Sequence, residues 1–143
     1  MRLALYEPGL GYYANPLPKF GAMPASGSDF VTAPELSPVF GQLLAAQVAE
    51  ALQRTQTDEV WEFGAGSGAL AEQLLSTLDS LGGACRRYTI VDLSGTLRAR
   101  QQARLAAWGD RVRWVAELPA QMQGVVVGNE VLDAMPVKLL VRR

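Results

Sequence analysis

The sequence predicts an α/β fold, a parallel sheet with flanking helices, and three observations carry that prediction. Residues 60–69 read Val-Trp-Glu-Phe-Gly-Ala-Gly-Ser-Gly-Ala, an apolar run with an acid near its end followed by three glycines at alternate positions. Apolar-periodic residues follow from Leu70, which is the pattern of strand, tight turn and helix. A second run rich in β-branched and aromatic residues, 87–92, ends in Asp92, 24 residues beyond Gly68. Beyond these, strand-like and helix-like stretches keep alternating, and such alternation implies parallel strands joined by right-handed crossovers.

The totals bound the answer. At 143 residues and 15.4 kDa the chain supports one domain with a real core, although it is short for a complete doubly wound enzyme. Apolar residues at 49% and charged residues at 19% read as globular and soluble, and no apolar run reaches the length of a membrane span. Thirteen Lys and Arg against fourteen Asp and Glu leave a net charge of −1, so nothing draws the whole molecule to nucleic acid or anionic lipid. With one cysteine and no histidine, an internal disulfide is excluded, most metal arrangements fall away, and Ser-His-Asp and Cys-His catalysis are ruled out. Proton transfer then falls to carboxylates, Tyr, Lys or the substrate. Cys85 reads as an incidental small residue of a Gly-Gly-Ala-Cys turn in a protein of a reducing compartment.

In chain order, residues 1–5 lack the apolar stretch and cleavage site of a secretory signal. Residues 6–38 are rich in Gly, Pro and Ser, with Tyr12, Tyr13 and Phe30 as anchors, and show neither helical nor alternating periodicity. They read as an ordered arm, either a lid over a binding site or a segment that only docks on the core, which gives an arm of residues 1–36 and a core of residues 37–143. Ser37-Pro38 has the form of an N-cap with proline at the first helical position, and Phe40, Leu44, Val48, Ala51 and Leu52 predict a buried helical stripe reaching about Arg54. Residues 59–63 predict the first strand. Leu70, Leu74, Leu75, Leu78 and Leu81 predict the buried face of the helix after the glycine turn, ended by Gly82-Gly83.

After the strand at 87–92, Ser94 is the natural helix cap. Leu97, Gln101, Leu105 and Trp108 mark the next helix, with Arg98, Arg100 and Arg104 on its solvated outer side. Residues 111–115 predict a third strand, 117–119 break it, and 124–128 form a continuous apolar run expected to be a fully buried parallel strand. Residues 137–141 are one more apolar run, where the sequence stops, so the sheet reads as truncated after four or five strands.

Glycines at 64, 66 and 68 let the backbone take positive φ and approach a ligand closely, while the amides opening the next helix point into the crevice. Asp92 has the spacing of a carboxylate that accepts hydrogen bonds from the vicinal hydroxyls of a ribose. Its competing role is to start the next helix. Asn129 and Glu130, past the end of the fourth strand, belong in the same crevice, because ligands of open α/β sheets lie beyond the carboxyl ends of the strands. Gly64-x-Gly66-x-x-Ala69 followed by Asp92 also satisfies the nicotinamide dinucleotide fingerprint, so an NAD(P)-binding oxidoreductase stays open on these residues. Glu62 and the missing histidine speak against it.

With these residues assembled, the chain resembles the Rossmann-like class I S-adenosylmethionine-dependent methyltransferases, and within them the MidA-like family that includes the mitochondrial complex I assembly-factor arginine methyltransferase. The resemblance runs over nearly the whole chain. It rests on Leu5-Tyr6-Glu7-Pro8 with Gly11-Tyr12-Tyr13, on Asp29-Phe30-Val31-Thr32-Ala33-Pro34-Glu35-Leu36-Ser37, and on Glu62-Phe63-Gly64-Ala65-Gly66-Ser67-Gly68. It continues through Tyr88-Thr89-Ile90-Val91-Asp92-Leu93-Ser94 with Leu97-Arg98 and Gln101, and through Gly128-Asn129-Glu130-Val131-Leu132-Asp133-Ala134-Met135-Pro136-Val137. The family has Gly where Ser28 stands and Glu where Asp92 stands, and the shorter acid reaches less far. Its members also run on through the remaining strands of a seven-stranded sheet.

The resemblance implies S-adenosyl-L-methionine as cofactor. Glu62, Gly64, Ala65, Gly66 and Gly68 would hold its amino-acid end, Asp92 and Leu93 its ribose side, and Asp29 and Thr32, with Glu35, would close over it from the arm. A sulfonium cofactor carries no phosphate, so an acid just before the turn is tolerable there and useful for an ammonium. The implied reaction is methyl transfer to a protein arginine, linked to respiratory complex assembly, with Glu130 as the first candidate to orient the guanidinium, Asp133 the second, and Asn129 offering an amide oxygen. The implied compartment is the cytoplasm in a bacterium and the mitochondrial matrix in a eukaryote. On the residues alone, 129–137 can equally be a strand end and turn that shape the crevice, and a scaffold that binds the cofactor without turnover stays open beside the enzyme.

Overall fold

The computed structural model describes residues 1–15, 31–83, 85–138, 140 and 141. Among them, in chain order, are helices α1 (Arg2–Tyr6), α2 (Ala33–Leu36) and α3 (Pro38–Thr55), strand β1 (Glu59–Phe63), helix α4 (Ala69–Ser80) and strand β2 (Arg87–Val91). Helix α5 (Gly95–Arg104), a 3-10 helix at Ala106–Arg111, strands β3 (Val112–Val115) and β4 (Val125–Gly128) and a 3-10 turn at Leu132–Ala134 follow. The strands form one parallel sheet in the order β3-β2-β1-β4. The winding direction therefore reverses beside β1, and the glycine turn leaves the sheet at that switch point.

Side chains alternate across the strands, so the register decides which face each joins. Val60 lies opposite Tyr88 and Val125, and Glu62 opposite Ile90 and Val127. Val60, Tyr88, Ile90, Val112 and Val127 make the sheet side of the core, against Ala45, Val48 and Leu52 of α3 and Leu70, Leu74, Leu75 and Leu78 of α4. The other face carries a polar cluster. Thr89 Oγ1 donates to Glu59 at 2.6 Å, and Arg113 reaches Thr89 Oγ1 and Glu59 at 2.7 Å each while its guanidinium lies 5.3 Å from the centre of the Trp61 ring.

The predicted alternation of elements stands, and so do most of the core positions; the departures have physical reasons. In α3 the buried positions are Gly41, Ala45, Val48 and Leu52, while Phe40 lies at the surface. A Cβ on Gly41 would overlap Gln73 of α4, so the two helices touch through small residues that an apolar stripe does not reveal. Leu81 is exposed because α4 ends one residue earlier, and the Gly83 amide turns back to the Leu78 carbonyl at 2.8 Å.

The helix expected to run through Trp108 stops at Arg104 and tightens into the 3-10 segment; Leu105 and Trp108, three apart, share a face in either form. β4 is not fully buried. Only Val127 is, with Val126 55% exposed, because β4 is an edge strand with helices on one face. The described residues of 137–141 form no strand, and Val137, Leu140 and Val141 are exposed. The arm, read as lacking helical periodicity, contains α1 and α2, each about one turn long and so too short for a period to show. Cys85 is a buried core residue whose thiol is pushed up by burial, which leaves it unreactive as expected.

Candidate functional site

A cavity of about 940 Å³ opens beyond the carboxyl ends of the strands, the size of a small-molecule site. β1 delivers Glu62 to its wall and the turn delivers Gly64, Ala65, Gly66 and Ser67. Gly64 has φ +61, and a Cβ there would crowd Val131 at 3.3 Å, so the turn needs its missing side chain both for conformation and for space. Asp92 and Leu93 enter from the end of β2, and Asn129, Glu130 and Asp133 from the segment after β4, brought across by the pairing of Phe63 with Gly128. Glu130 itself sits at φ +52, a conformation L-residues seldom adopt, which is the kind of local strain that gathers at functional sites. Thr32 and Glu35, with Tyr6 and Tyr13, close the arm side.

Among the described residues, one sequence-predicted residue is not on this wall. Gly68, at φ +85, caps α4 and packs toward Gln101 and Arg104 behind the cavity. Asp29 lies outside the described residues.

The two strand-end acids are held differently. Glu62 is buried, and among the described residues its carboxyl group accepts one hydrogen bond, from the Tyr88 hydroxyl at 2.8 Å. Burial pushes its pKa up to about 7 against the opposing pull of that hydroxyl, and the neighbouring Asp92 adds to the rise. Asp92 has a donor on each oxygen, the Ser94 amide on Oδ1 and Gln101 Nε2 on Oδ2, both at 2.8 Å. Burial raises this carboxyl too, and the amides of Ser94, Gln101 and Leu93 pull it back. Ser94 serves as the helix cap as well, accepting the Leu97 amide at 3.3 Å, so the capping task falls to Ser94.

Several contacts among the described residues tie the arm to the site. Tyr6 donates to the Ala134 carbonyl at 2.9 Å, Ser94 Oγ to the Tyr13 carbonyl at 2.9 Å, and Gln73 Nε2 to the Pro34 carbonyl at 2.7 Å. Ser67 of the turn donates to the Glu35 carboxylate. Tyr6 and Tyr13 stack with ring centres 5.7 Å apart.

Arg104 corrects an expectation. Instead of lying on a solvated face it reaches over the turn, donating to Ser67 Oγ at 2.6 Å and pairing with Glu72 at 3.3 Å and Glu35 at 3.8 Å. Tyr88 and Gln101 were read as strand and helix residues, and neither was assigned a role at the site. The available signal was a polar group at a position that periodicity makes interior, since such groups need partners.

Comparisons with known proteins agree with this geometry. The model of a family of S-adenosyl-L-methionine-dependent methyltransferases matches residues 43–143. A crystal structure of a Burkholderia thailandensis protein bound to S-adenosyl-homocysteine aligns with a TM-score of 0.88 at 56% identity, over 94% of this chain and 36% of that one. Among curated relatives, the mitochondrial protein arginine methyltransferase NDUFAF7 of Danio rerio is 36% identical over 86 residues, 58% of this chain and 19% of that protein. Its counterpart in Bos taurus is 30% identical over 132 residues, 87% of this chain and 29% of that protein. The chain thus spans less than a third of the length of these two relatives. Between the two cofactors that the glycine turn and Asp92 allowed, the family match selects S-adenosylmethionine over a nicotinamide dinucleotide. With its four-stranded parallel sheet, its glycine turn at the switch point and a family match over 43–143, the chain belongs to the S-adenosyl-L-methionine-dependent methyltransferases, on their MidA-like branch.

Proposed function

We propose that the chain binds S-adenosylmethionine in the cavity beyond β1 and β2 and directs its methyl group to a guanidinium nitrogen of a protein arginine. The observation that carries this reading is the meeting of four acids in one cavity: Glu62 and Asp92 flank the glycine turn, and Glu130 and Asp133 come from the segment after β4. The donor set fits the cofactor. Asp92 keeps lone pairs for two ribose hydroxyls, Glu62 offers a buried carboxyl to an ammonium, and a dinucleotide's pyrophosphate would instead meet two acids. The bound cofactor supplies a methyl group activated on a sulfonium.

The chain's own residues do the rest. Asp92 fixes the ribose, Glu62 loses its proton as it pairs with the ammonium, and Leu93 and Thr32 border the bound molecule. Tyr6 and Tyr13 of the arm keep water from the reacting atoms. An arginine has a pKa above about 12, so attack by its nitrogen needs a carboxylate that orients the guanidinium and receives the proton it gives up. Glu130 takes that role, Asp133 supports it, and Asn129 offers its amide oxygen to the same group. Arginine as acceptor is supported by the NDUFAF7 relatives, which are protein arginine methyltransferases. By the same likeness the acceptor is a protein of respiratory complex assembly, met in the mitochondrial matrix in a eukaryote or the cytoplasm in a bacterium. Among the described residues no helix is long and apolar enough to cross a membrane.

The test is transfer from methyl-labelled S-adenosylmethionine to arginine-containing peptides, read by mass spectrometry. Label on arginine that disappears in Glu130→Gln supports the reading. A chain that binds S-adenosyl-homocysteine but labels no arginine would leave a cofactor-binding scaffold in its place.

A further inference from the structure

Gln101 projects from α5 into the space between the glycine turn and the end of β2, and it is completely buried. It does not border the cavity but lies behind it. Its Nε2 donates to Asp92 Oδ2 at 2.8 Å and to the Gly66 carbonyl at 3.0 Å, and its Oε1 accepts the Trp114 indole N–H at 2.9 Å. An indole nitrogen only donates, so the atom facing Trp114 is the amide oxygen, and this fixes the amino group toward its two acceptors.

The amide is the right chemistry for the place. Both of its protons are in use, one on each cofactor-binding element. A glutamate there would set oxygen against a carboxylate and a carbonyl; a leucine would leave both acceptors and the indole donor without their partner. With Ser94 holding Oδ1 and Gln101 holding Oδ2, the Asp92 carboxylate cannot turn about its own axis. The lone pairs left over face the cavity as a pair.

We propose that Gln101 is a positioning residue for ribose recognition: by tying the Asp92 carboxylate to the carbonyl of Gly66, it makes the acid read two vicinal hydroxyls together. The inference rests on Asp92 being the ribose acid. It places the control of cofactor selectivity on a side chain that touches no ligand, at the junction of the turn, the β2 end and β3.

The experiment is calorimetric titration of the purified chain with S-adenosyl-homocysteine and with its 2′-deoxyribose analogue. The wild-type chain should prefer the ribose form by about tenfold or more, the range of a hydrogen bond to a charged group. Gln101→Leu should lose about tenfold in affinity for S-adenosyl-homocysteine and bring the preference close to one. Equal weakening of both ligands, with the preference intact, would show a merely structural residue and overturn the proposal. Gln101→Met keeps the length of the side chain but removes both donors, so it answers the question if the leucine variant does not fold; a wild-type preference in a folded Gln101→Met overturns the proposal as well. Asp92→Ala separates the two levels. If it keeps the preference, Asp92 is not the ribose acid and the inference falls with that assignment; if it loses the preference while the Gln101 variants keep it, only the inference falls.

Discussion

The ends of β1 and β2 lie side by side, Phe63 opposite Val91, and each presents an acid to the same cavity, yet the two are built in opposite ways. Glu62 is sealed in with one hydroxyl for company, and its carboxyl titrates at about 7. Asp92 is gripped by an amide on each oxygen, which works against the effect of its burial. Burial raises both carboxyls; at Asp92 donors on both oxygens oppose the rise, whereas at Glu62 the Tyr88 hydroxyl opposes it. An acid held by two donors is set in one orientation, and a buried acid with a raised pKa suits a cation, whose arrival itself makes ionisation favourable.

The largest effect should follow from removing the well-held acid. On the proposed role of Asp92, Asp92→Ala deletes two charge-assisted hydrogen bonds to ribose, each worth about 1.5–3 kcal/mol, so affinity for S-adenosyl-homocysteine should fall by about 100-fold or more. Titration calorimetry on the folded variant decides it, and a loss under about threefold would dissolve the contrast between the two acids.

Glu62 gives the next effect, and its sign can be worked out. Its folded pKa of about 7 lies above the ordinary value of 4.5, so between those pH values the folded chain keeps a proton that the unfolded chain has released. Without ligand, this group therefore lowers stability as pH rises from 4.5 to 7, and the full penalty, on the order of 3 kcal/mol, is present above that window. Glu62→Gln should flatten that part of the pH dependence in urea melts. It should also weaken S-adenosyl-homocysteine binding about tenfold, by loss of the ammonium's partner. In the wild-type chain, binding below pH 7 should release a proton, visible as a dependence of the calorimetric heat on the ionisation enthalpy of the buffer.

A smaller shift is expected from Tyr88→Phe. The hydroxyl is the one group that pulls the Glu62 pKa down, so its loss moves the pH at which binding levels off above about 7. An unchanged profile would mean that Glu62 does not titrate on binding.

Much of this arrangement can be read from the chain before any coordinates. The glycine turn, the two acids and the place of Asn129 and Glu130 follow from run lengths and spacing, because a parallel βα unit leaves little freedom in where its strand ends point, whereas Asp133 enters only through the family resemblance. The contacts that distinguish the acids are less legible. Gln101 shows as a polar residue on a buried stripe and as one residue of the family resemblance, with no role attached, and its partners come from the turn, from the end of β2 and from β3, three places that no local pattern joins. Arg104 likewise follows helical spacing outward and then folds back over Ser67, because Glu35 and Glu72 wait on neighbouring elements. The exposed side of β4 escapes local reading too, since a continuous apolar run tells of hydrophobicity but not of strand order.

The smallest effect separates the two donors of Ser94. Its backbone N–H holds Asp92 Oδ1, whereas its side chain accepts the Leu97 amide as the cap of α5 and donates to the Tyr13 carbonyl. Ser94→Ala keeps the first contact and removes the other two. Loss of a serine cap costs about 1 kcal/mol of stability, and the Tyr13 contact adds a little more by loosening the arm. Affinity for S-adenosyl-homocysteine should change less than about threefold, since the backbone still grips the acid. Denaturant melts and calorimetry on one variant therefore read the cap and the carboxylate separately. If binding instead fell as far as in Asp92→Ala, the Tyr13 tether would be what keeps the acid in place, and the difference between the two strand ends would lie in the arm, not in the donors on Asp92.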